Sequence, residues 1–579
     1  MAAQGVSQQV RYTPDEACSP FVAAAVGLQG VALVLAPTIL VVAVAVRAIG
    51  EDEAYLTWAV FAALLINFVV IGLHATSAPR LGSGHIVISG PTVQFVAVAI
   101  VALSEGGPAT LASLMVVCSF AQFAMALWLP ALRRVLTPVV TGTVLMLVAA
   151  TLLPVATGRL NELPAGAPNY AGPTVALVTL GVAVMLTLRA TGPWRLWSTL
   201  ISIAVGCAVT AAFGQYELQR IADAPWAGFP EPQFPGIDLT PGVEFWALLP
   251  TFLVLTLVLG TKVVSDGTII QRVSQREARA IDFRRVQGMV NTNGLAMLLA
   301  GLAGTPPLQT YASFSASLIS LTGVAARRVG YAIALIFLAV ALFPKFGALL
   351  LTIPSPVMGA YLLMALGVIF VGGIQTIVQG GLDAQKSLVV GLALSVGLGL
   401  DGHEVIPFVL GDTLGAAFSS GVMYGAIVAI GLTQLLERTG PRPQRLETGL
   451  DMSELPAIDE FLRELATDQQ WDEHSTERLR SAGEETLTSL LQQEGDDTPE
   501  ARSRLVVLAR PGGASMELEF VATTDRENLE DQLAYLSDEI RLPEANEISL
   551  RLLRHYASSV RHQKYHGIDI VTVVVERAA

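Results

Sequence analysis

The chain has 579 residues, of which 53% are apolar and only 14% charged, against about 25% charged residues in soluble domains. That composition excludes an ordinary soluble enzyme. The charge is uneven: residues 441–579 hold 28 acidic and 15 basic side chains, the first 440 hold 20 of each, and the whole net charge of −13 therefore sits on the tail.

An acidic tail and a balanced body offer no basic surface to a nucleic acid. Cys18, Cys118 and Cys207 are scattered, with no disulfide framework or metal-ligand spacing, and no cofactor motif is present. Residues 1–20 are polar and lack the apolar core of a cleaved signal peptide. They are expected to form a cytoplasmic segment.

A bilayer span needs about 20 mostly apolar residues. Spans are expected near 21–46, 55–75, 86–104, 108–128, 135–157, 173–188, 196–213, 243–264, 287–304, 308–323, 329–350, 355–379, 386–400 and 404–436. The transmembrane region thus covers residues 21–440 and reads as an all-α polytopic bundle of about fourteen helices. Loops after even-numbered spans carry thirteen cations, among them Arg133, Arg134, Arg284, Arg285, Arg327 and Arg328. Loops after odd-numbered spans carry four: Arg47, Arg159, Arg220 and Lys345. The positive-inside bias then places both termini in the cytoplasm of a multi-pass cell-membrane protein.

Thr137-Pro138-Val139 and Ser355-Pro356-Val357 lie 218 residues apart, about seven helices. Either two similar helix starts coincide, or the chain is two repeats of seven with inverted topology, the plan of secondary transporters. Spans three and ten both open on breaks, Gly82 to Phe95 and Gly304-Thr305-Pro306-Pro307 onward. Each has an extended first half, with Pro91 suited to the first turn of the helix that follows. Unpaired backbone at membrane depth is tolerated only inside protein or along a cavity. The two breaks mark a binding site or two ordinary kinks. His74 and His85 flank the first break as loop-edge histidines or a proton relay, and His403, Glu404 and Asp412 read as a solvated loop.

Gly27-Leu28-Gln29 with Ala36-Pro37, the Gly82–Phe95 break, Leu321-Thr322-Gly323-Val324 with Arg327, and Ile353-Pro354-Ser355-Pro356-Val357-Met358-Gly359-Ala360 resemble the nucleobase–ascorbate transporter family, also called the xanthine/uracil permeases. The resemblance covers roughly residues 20–435. It implies fourteen helices in two inverted repeats of seven, divided into core and gate domains. It also implies a homodimer, and uptake of a nucleobase coupled to a proton or sodium at a site between spans one, three, eight and ten. The chain departs from the pattern in span eight, where Lys262 stands in place of the ring-binding glutamate while Asp266 keeps the distal acid. In span ten Phe314, Ser315 and Ser317 stand where relatives carry an amide or acid pair and a glycine.

Lys262 and Asp266 are four apart on one helix face. They form a self-neutralising structural pair, or Lys262 attracts an anionic purine-like or other small anionic solute while Asp266 takes the coupling proton. Gln29 and Gln94 hydrogen-bond the solute or serve as polar glue between helices. The candidate substrate residues are therefore Gln29, Gln94, Lys262, Phe314, Ser315 and Ser317, with Asp266 as the ion-coupling group.

Residues 441–452 read as a linker and 453–579 as an α/β sandwich. Its elements are a helix from Ser453, which caps it, a helix at 475–491, paired strands at 505–508 and 516–521, a helix at 546–560 and a strand at 568–575. The helix from Leu479 to Ser489 and the stretch from Ser549 to Arg554 resemble the histidine-kinase-type ATPase domain of anti-sigma kinases. Ser489 occupies the magnesium-holding asparagine position, and Asp525-Arg526-Glu527-Asn528 lacks the glycines of the nucleotide loop. A degenerate domain that docks a cytoplasmic protein is expected. The functional reading is an ion-coupled symporter; the alternative is a membrane solute sensor reporting through the tail.

Overall fold

The computed structural model describes residues 10–577 except 48–49, 51, 79, 163–167, 191–193, 195–196, 217–218, 239, 277–280, 380, 402, 404–419, 440–443, 492–503, 513–514, 524–551, 554 and 566–567. The chain divides into two units, residues 1–276 with 284–433, and 277–283 with 434–579.

The first unit is helical because its apolar runs are long and its backbone groups must pair internally. Its elements begin with α1 (Pro20–Arg47), α2 (Glu53–Ala75), β1 (Ser89–Pro91), α3 (Val96–Val135), α4 (Pro138–Thr151), α5 (Leu153–Gly158), α6 (Ala171–Arg189), α7 (Ser198–Ala212) and α8 (Gln219–Asp223). They continue with α9 (Val243–Val273), α10 (Phe283–Ala303), β2 (Leu308–Thr310), α11 (Ala312–Thr322), α12 (Arg327–Leu342), α13 (Pro344–Leu351), α14 (Ser355–Gln379), α15 (Ala384–Leu400) and α16 (Gly421–Thr439). Among the described residues seven helices are long and apolar enough to cross a membrane, or eight if α12 and α13 count as one bent span.

The boundary between the third and fourth expected spans falls where the sequence puts it, and two other spans, the eleventh and the fifth, depart from the expectation. The stretch α3 holds spans three and four, separated at Gly107, whose φ of 74° and ψ of −177° are non-helical. Pro108 follows, and a residue before proline is pushed out of the helical region. The eleventh span is not straight: α12 and α13 meet at 83°, where Pro344 can neither donate an amide proton nor accommodate the preceding turn. The fifth is interrupted at Leu152, ahead of Pro154. The first part of the fourteenth, with Glu404 and Asp412, lies outside the described residues.

Helix α2 packs on α12, α3 on α9, and α4 on α14. In the last pair Gly142 and Gly373 face each other, and a Cβ on either would fall about 2.5 Å from the other's carbonyl oxygen. Small residues here let two backbones approach closely. Residues 10–18 form a strap across one end of the unit. Arg11 N–H donates to Gly323 O at 2.7 Å and Ala325 N–H to Tyr12 O at 2.8 Å. Arg276 holds Glu16 at 2.7 Å, and Arg327 pairs with Asp15.

The tail unit is a five-stranded antiparallel sheet, ordered β3-β4-β5-β7-β6, with β3 (Gln444–Gly449), β4 (Arg504–Pro511), β5 (Ser515–Thr523), β6 (Ser559–Tyr565) and β7 (Ile568–Glu576). Helices α17 (Leu455–Asp468) and α18 (Glu473–Leu491) share one core with the sheet, in which Ile458, Leu462, Leu479 and Leu487 meet Val507, Phe520, Val571 and Val573. The alternate burial along β4 and β5 is that of a sheet covered on one face.

Here too there are corrections. Residues 444–449, expected as linker, pair with β4; only Leu446 in that stretch is apolar, and main-chain bonding at an edge supplies what the side chains lack. The helix expected over 546–560 ends early, since β6 begins at Ser559. Asp451, not Ser453, caps the first turn, its carboxylate accepting from Ser453 N.

Candidate functional site

The extended halves of the two broken spans pair with each other. Strands β1 and β2 run antiparallel with Ser89 opposite Thr310, Gly90 opposite Gln309 and Pro91 opposite Leu308. The pairing continues at both ends, with Thr92 N–H donating to Pro307 O at 2.9 Å and Tyr311 N–H to Ile88 O at 2.8 Å. Backbone groups that would be orphaned inside the membrane are thereby satisfied. Pro91, expected in the first turn of a helix, instead closes β1, where its fixed φ suits an extended chain. Each strand leads into a helix, β1 through the turn Val93–Phe95 into α3 and β2 directly into α11. Two helix N-termini, each carrying a partial positive charge, therefore start at one crossing.

Side chains from three further helices reach it. Asn67 of α2 accepts from Ser89 Oγ at 2.9 Å. Gly90 lies under Tyr311, and a Cβ there would stand 2.8 Å from the Tyr311 ring and 3.1 Å from Thr38 Oγ1 of α1. Only glycine lets the three chains meet. Tyr311 in turn donates to Pro91 O. On α9, Lys262 Nζ donates to Asp266 Oδ2 at 2.8 Å; the Asp266 side chain is 8% exposed and that of Lys262 40%. Thr310 of β2 lies beside Asp266, so the ion pair adjoins the strand crossing. Thr38 Oγ1 and Gln309 Nε2 are buried there with no hydrogen-bond partner among the described residues, which leaves polar atoms for a solute.

The residues expected from the sequence separate into groups. Lys262 and Asp266 are paired beside β2. Gln94 is half-buried on the turn after β1, where its side-chain oxygen accepts from Thr92. Phe314 is half-buried and meets Tyr311 edge-on, with ring centroids 5.6 Å apart. Ser315 is fully buried, and its Oγ accepts from Ile88 N–H at 2.9 Å. That hydroxyl is used to join the two broken spans. Ser317 is half-buried on α11. Gln29 lies nine residues before Thr38 on α1, about 13 Å along the helix at 1.5 Å per residue; Thr38 is the α1 side chain that touches Gly90. Sequence reasoning missed Thr38, Asn67, Gln309 and Tyr311, although Tyr311 stands next to the break and Thr38 next to Pro37.

His74 and His85 are both buried, not solvated at a loop edge. The His74 carbonyl accepts from the amides of Ser83, Gly84 and His85 at 3.2, 2.8 and 3.3 Å. Gly82 and Gly84 turn the chain there with φ of 80° and 69°. In the tail, Ser489 is buried on α18, and Asp525–Asn528 lies outside the described residues.

Residues 22–406 match the family model described as "Permease family", that of the xanthine/uracil permeases. The chain belongs to this family. A putative purine permease of Clostridium perfringens is 27% identical over 423 residues, spanning 71% of this chain and 90% of the relative. Xanthine permease XanP of Escherichia coli K12 is 29% identical over 366 residues, spanning 60% and 78%. Among solved structures, the transmembrane domain of the cyanobacterial bicarbonate transporter BicA is similar at 18% identity and a TM-score of 0.44, covering 68% of this chain and 97% of that one. Murine Slc26a9 is similar at 13% identity and 0.47, covering 75% and 71%. As a member of the permease family, the chain is a multi-pass membrane transport protein and not an enzyme.

Proposed function

We propose that this permease carries a small monoanionic, nucleobase-like solute together with a proton, with Lys262 and Asp266 acting as one unit. The carrying observation is their 2.8 Å ion pair beside the paired strands. A charge at membrane depth must be paired or facing a polar cavity, and here the two halves of the pair are unequal. Asp266 is buried, and Lys262 is exposed enough to reach a solute. With the pair closed, the ammonium is neutralised. A proton on Asp266 frees the Lys262 donors, which then meet an anion in the combined field of two helix N-termini. The relatives are described as a putative purine permease and a xanthine permease, which supports a planar nitrogen heterocycle; its anionic form rests on Lys262 alone.

The same crossing supports two inverted repeats of seven spans. Gly90 faces Gln309 across an antiparallel pair, 219 residues on, close to the 218 that separate Pro138 from Pro356. Antiparallel partners at the repeat distance are what a two-fold axis in the membrane plane requires.

Uptake of labelled xanthine and urate into proteoliposomes tests the proposal. A proton gradient directed inward, with the external medium acid, should drive accumulation of an anionic substrate, and a membrane potential at fixed pH should not. Lys262→Glu should abolish binding, and Asp266→Asn should bind without accumulating. A wild-type chain that binds but never accumulates would be a sensor, and the transport reading would fail.

A further inference from the structure

A cavity of about 260 Å³, apart from the strand crossing, lies where α12 bends into α13. Phe61 and Leu64 of α2, Ala341 of α12 and Gly347, Ala348 and Leu351 of α13 wall it, and Asp223 at the end of α8 and Pro225 just beyond it close it. None of its lining residues belongs to the strand crossing. Its volume is slightly below the roughly 300–1,000 Å³ of small-molecule pockets, and its walls are apolar. Phe346 and Leu349 stand exposed on α13 beside it, as residues bordering hydrocarbon do. Two opposite charges flank the cavity. Asp223 is exposed, and Lys345, next to the lining residue Pro344, rests 4.5 Å from the ring centroid of Trp226. No ion pair joins either to another side chain among the described residues.

An apolar cleft edged by one carboxylate and one ammonium matches a zwitterionic amphiphile. We propose that it holds one acyl chain of a phospholipid bearing a primary-ammonium headgroup, with the ammonium on Asp223 and the phosphate near Lys345. The bilayer itself supplies such molecules to a cleft on its border. A wholly anionic headgroup would satisfy Lys345 and be repelled by Asp223, so the cavity discriminates by headgroup as well as by chain.

The test is thermal melting of the full chain, delipidated in mild detergent and titrated with phosphatidylethanolamine or phosphatidylglycerol. A bound lipid stabilises the folded state in proportion to its occupancy. The ethanolamine lipid should act at about three- to fivefold lower concentration, the range of one exposed charge pair. Asp223→Asn should bring the two titrations together. Gly347 lines the cavity and a Cβ there meets nothing within 4 Å, so Gly347→Leu should occupy the cavity and remove the response to both lipids. Equal titrations in the unaltered chain, or an undiminished lipid response in Gly347→Leu, would overturn the proposal. Should Gly347→Leu fail to fold, the comparison of Asp223→Asn with the unaltered chain still decides it.

Discussion

The Lys262–Asp266 pair can be tested through stability alone, because its two halves are unequally buried. Replacing Lys262 by Met leaves a carboxylate whose side chain is 8% exposed without its cation. Breaking a buried pair in this way costs about 3–5 kcal/mol. The carboxyl can escape by taking up a proton, and for an ordinary aspartate that costs about 4 kcal/mol at pH 7 and about 1.5 kcal/mol at pH 5. The Lys262→Met deficit should therefore be at most about 4 kcal/mol at pH 7 and shrink by about 2.5 kcal/mol in mild acid. Replacing Asp266 by Asn leaves an ammonium on a side chain that is 40% exposed and can reach water, so the loss should be about 0–1 kcal/mol at either pH. The double replacement should lie near Asp266→Asn, not at the sum. Tryptophan-fluorescence melting of the purified chain at the two pH values measures all four states. Equal losses in the single variants, or a Lys262→Met deficit that acid leaves unchanged, would refute the asymmetric pair.

Two further expectations follow from contacts. Gly90→Ala places a methyl group 2.8 Å from the Tyr311 ring; overpacking of this kind costs about 1–3 kcal/mol, and if that cost falls on the bound form, solute affinity should fall about five- to a hundredfold. Gly181→Ala, which meets nothing within 4 Å, should leave an equilibrium binding isotherm unchanged. In the strap, the Glu16 carboxyl is held below the usual glutamate range, first by the Thr13 backbone amide and then by Arg276. A depressed carboxyl stabilises above its unfolded titration range and loses that contribution as pH falls through its folded value. Hydrogen exchange of residues 10–18 should thus be slow near neutrality and speed up below about pH 4, and Arg276→Ala should open the strap already at pH 7.

The long spans were legible because an apolar run of bilayer length has few alternatives, and the two breaks were legible from their glycines and prolines. What pairs with what was not. The bond from Ile88 to Ser315 joins residues 227 apart, and nothing local to Ser315 shows that its hydroxyl is taken up by the frame. Position in the family pattern suggested a pocket role; the crossing gives it a structural one. The bend at Pro344 was hidden because both arms are apolar, so composition reads straight through it. Strand β3 was hidden for the opposite reason, having almost no apolar signal of its own. Gln29 drew attention as a polar residue in an apolar helix, whereas Thr38, small and next to Pro37, is the one that touches Gly90.

The placement of the ion pair on a single helix, and not across two, bears on how the site can move. Opposite charges on neighbouring helices would hold those helices together, and separating them would expose both ions to the low-dielectric interior. Lys262 and Asp266 sit one turn apart on α9, so they travel together whenever that helix does. With the site empty, the pair sums to zero. With a proton on Asp266 and a monoanion on Lys262, it sums to zero again. Neither form carries an unpaired charge through the bilayer interior, where each would cost several kcal/mol. A glutamate in place of Lys262 would leave two acids one turn apart and would need a different neutralising scheme. Under the proposed function, Lys262 beside Asp266 would set the charge of the solute without altering the fold that carries it.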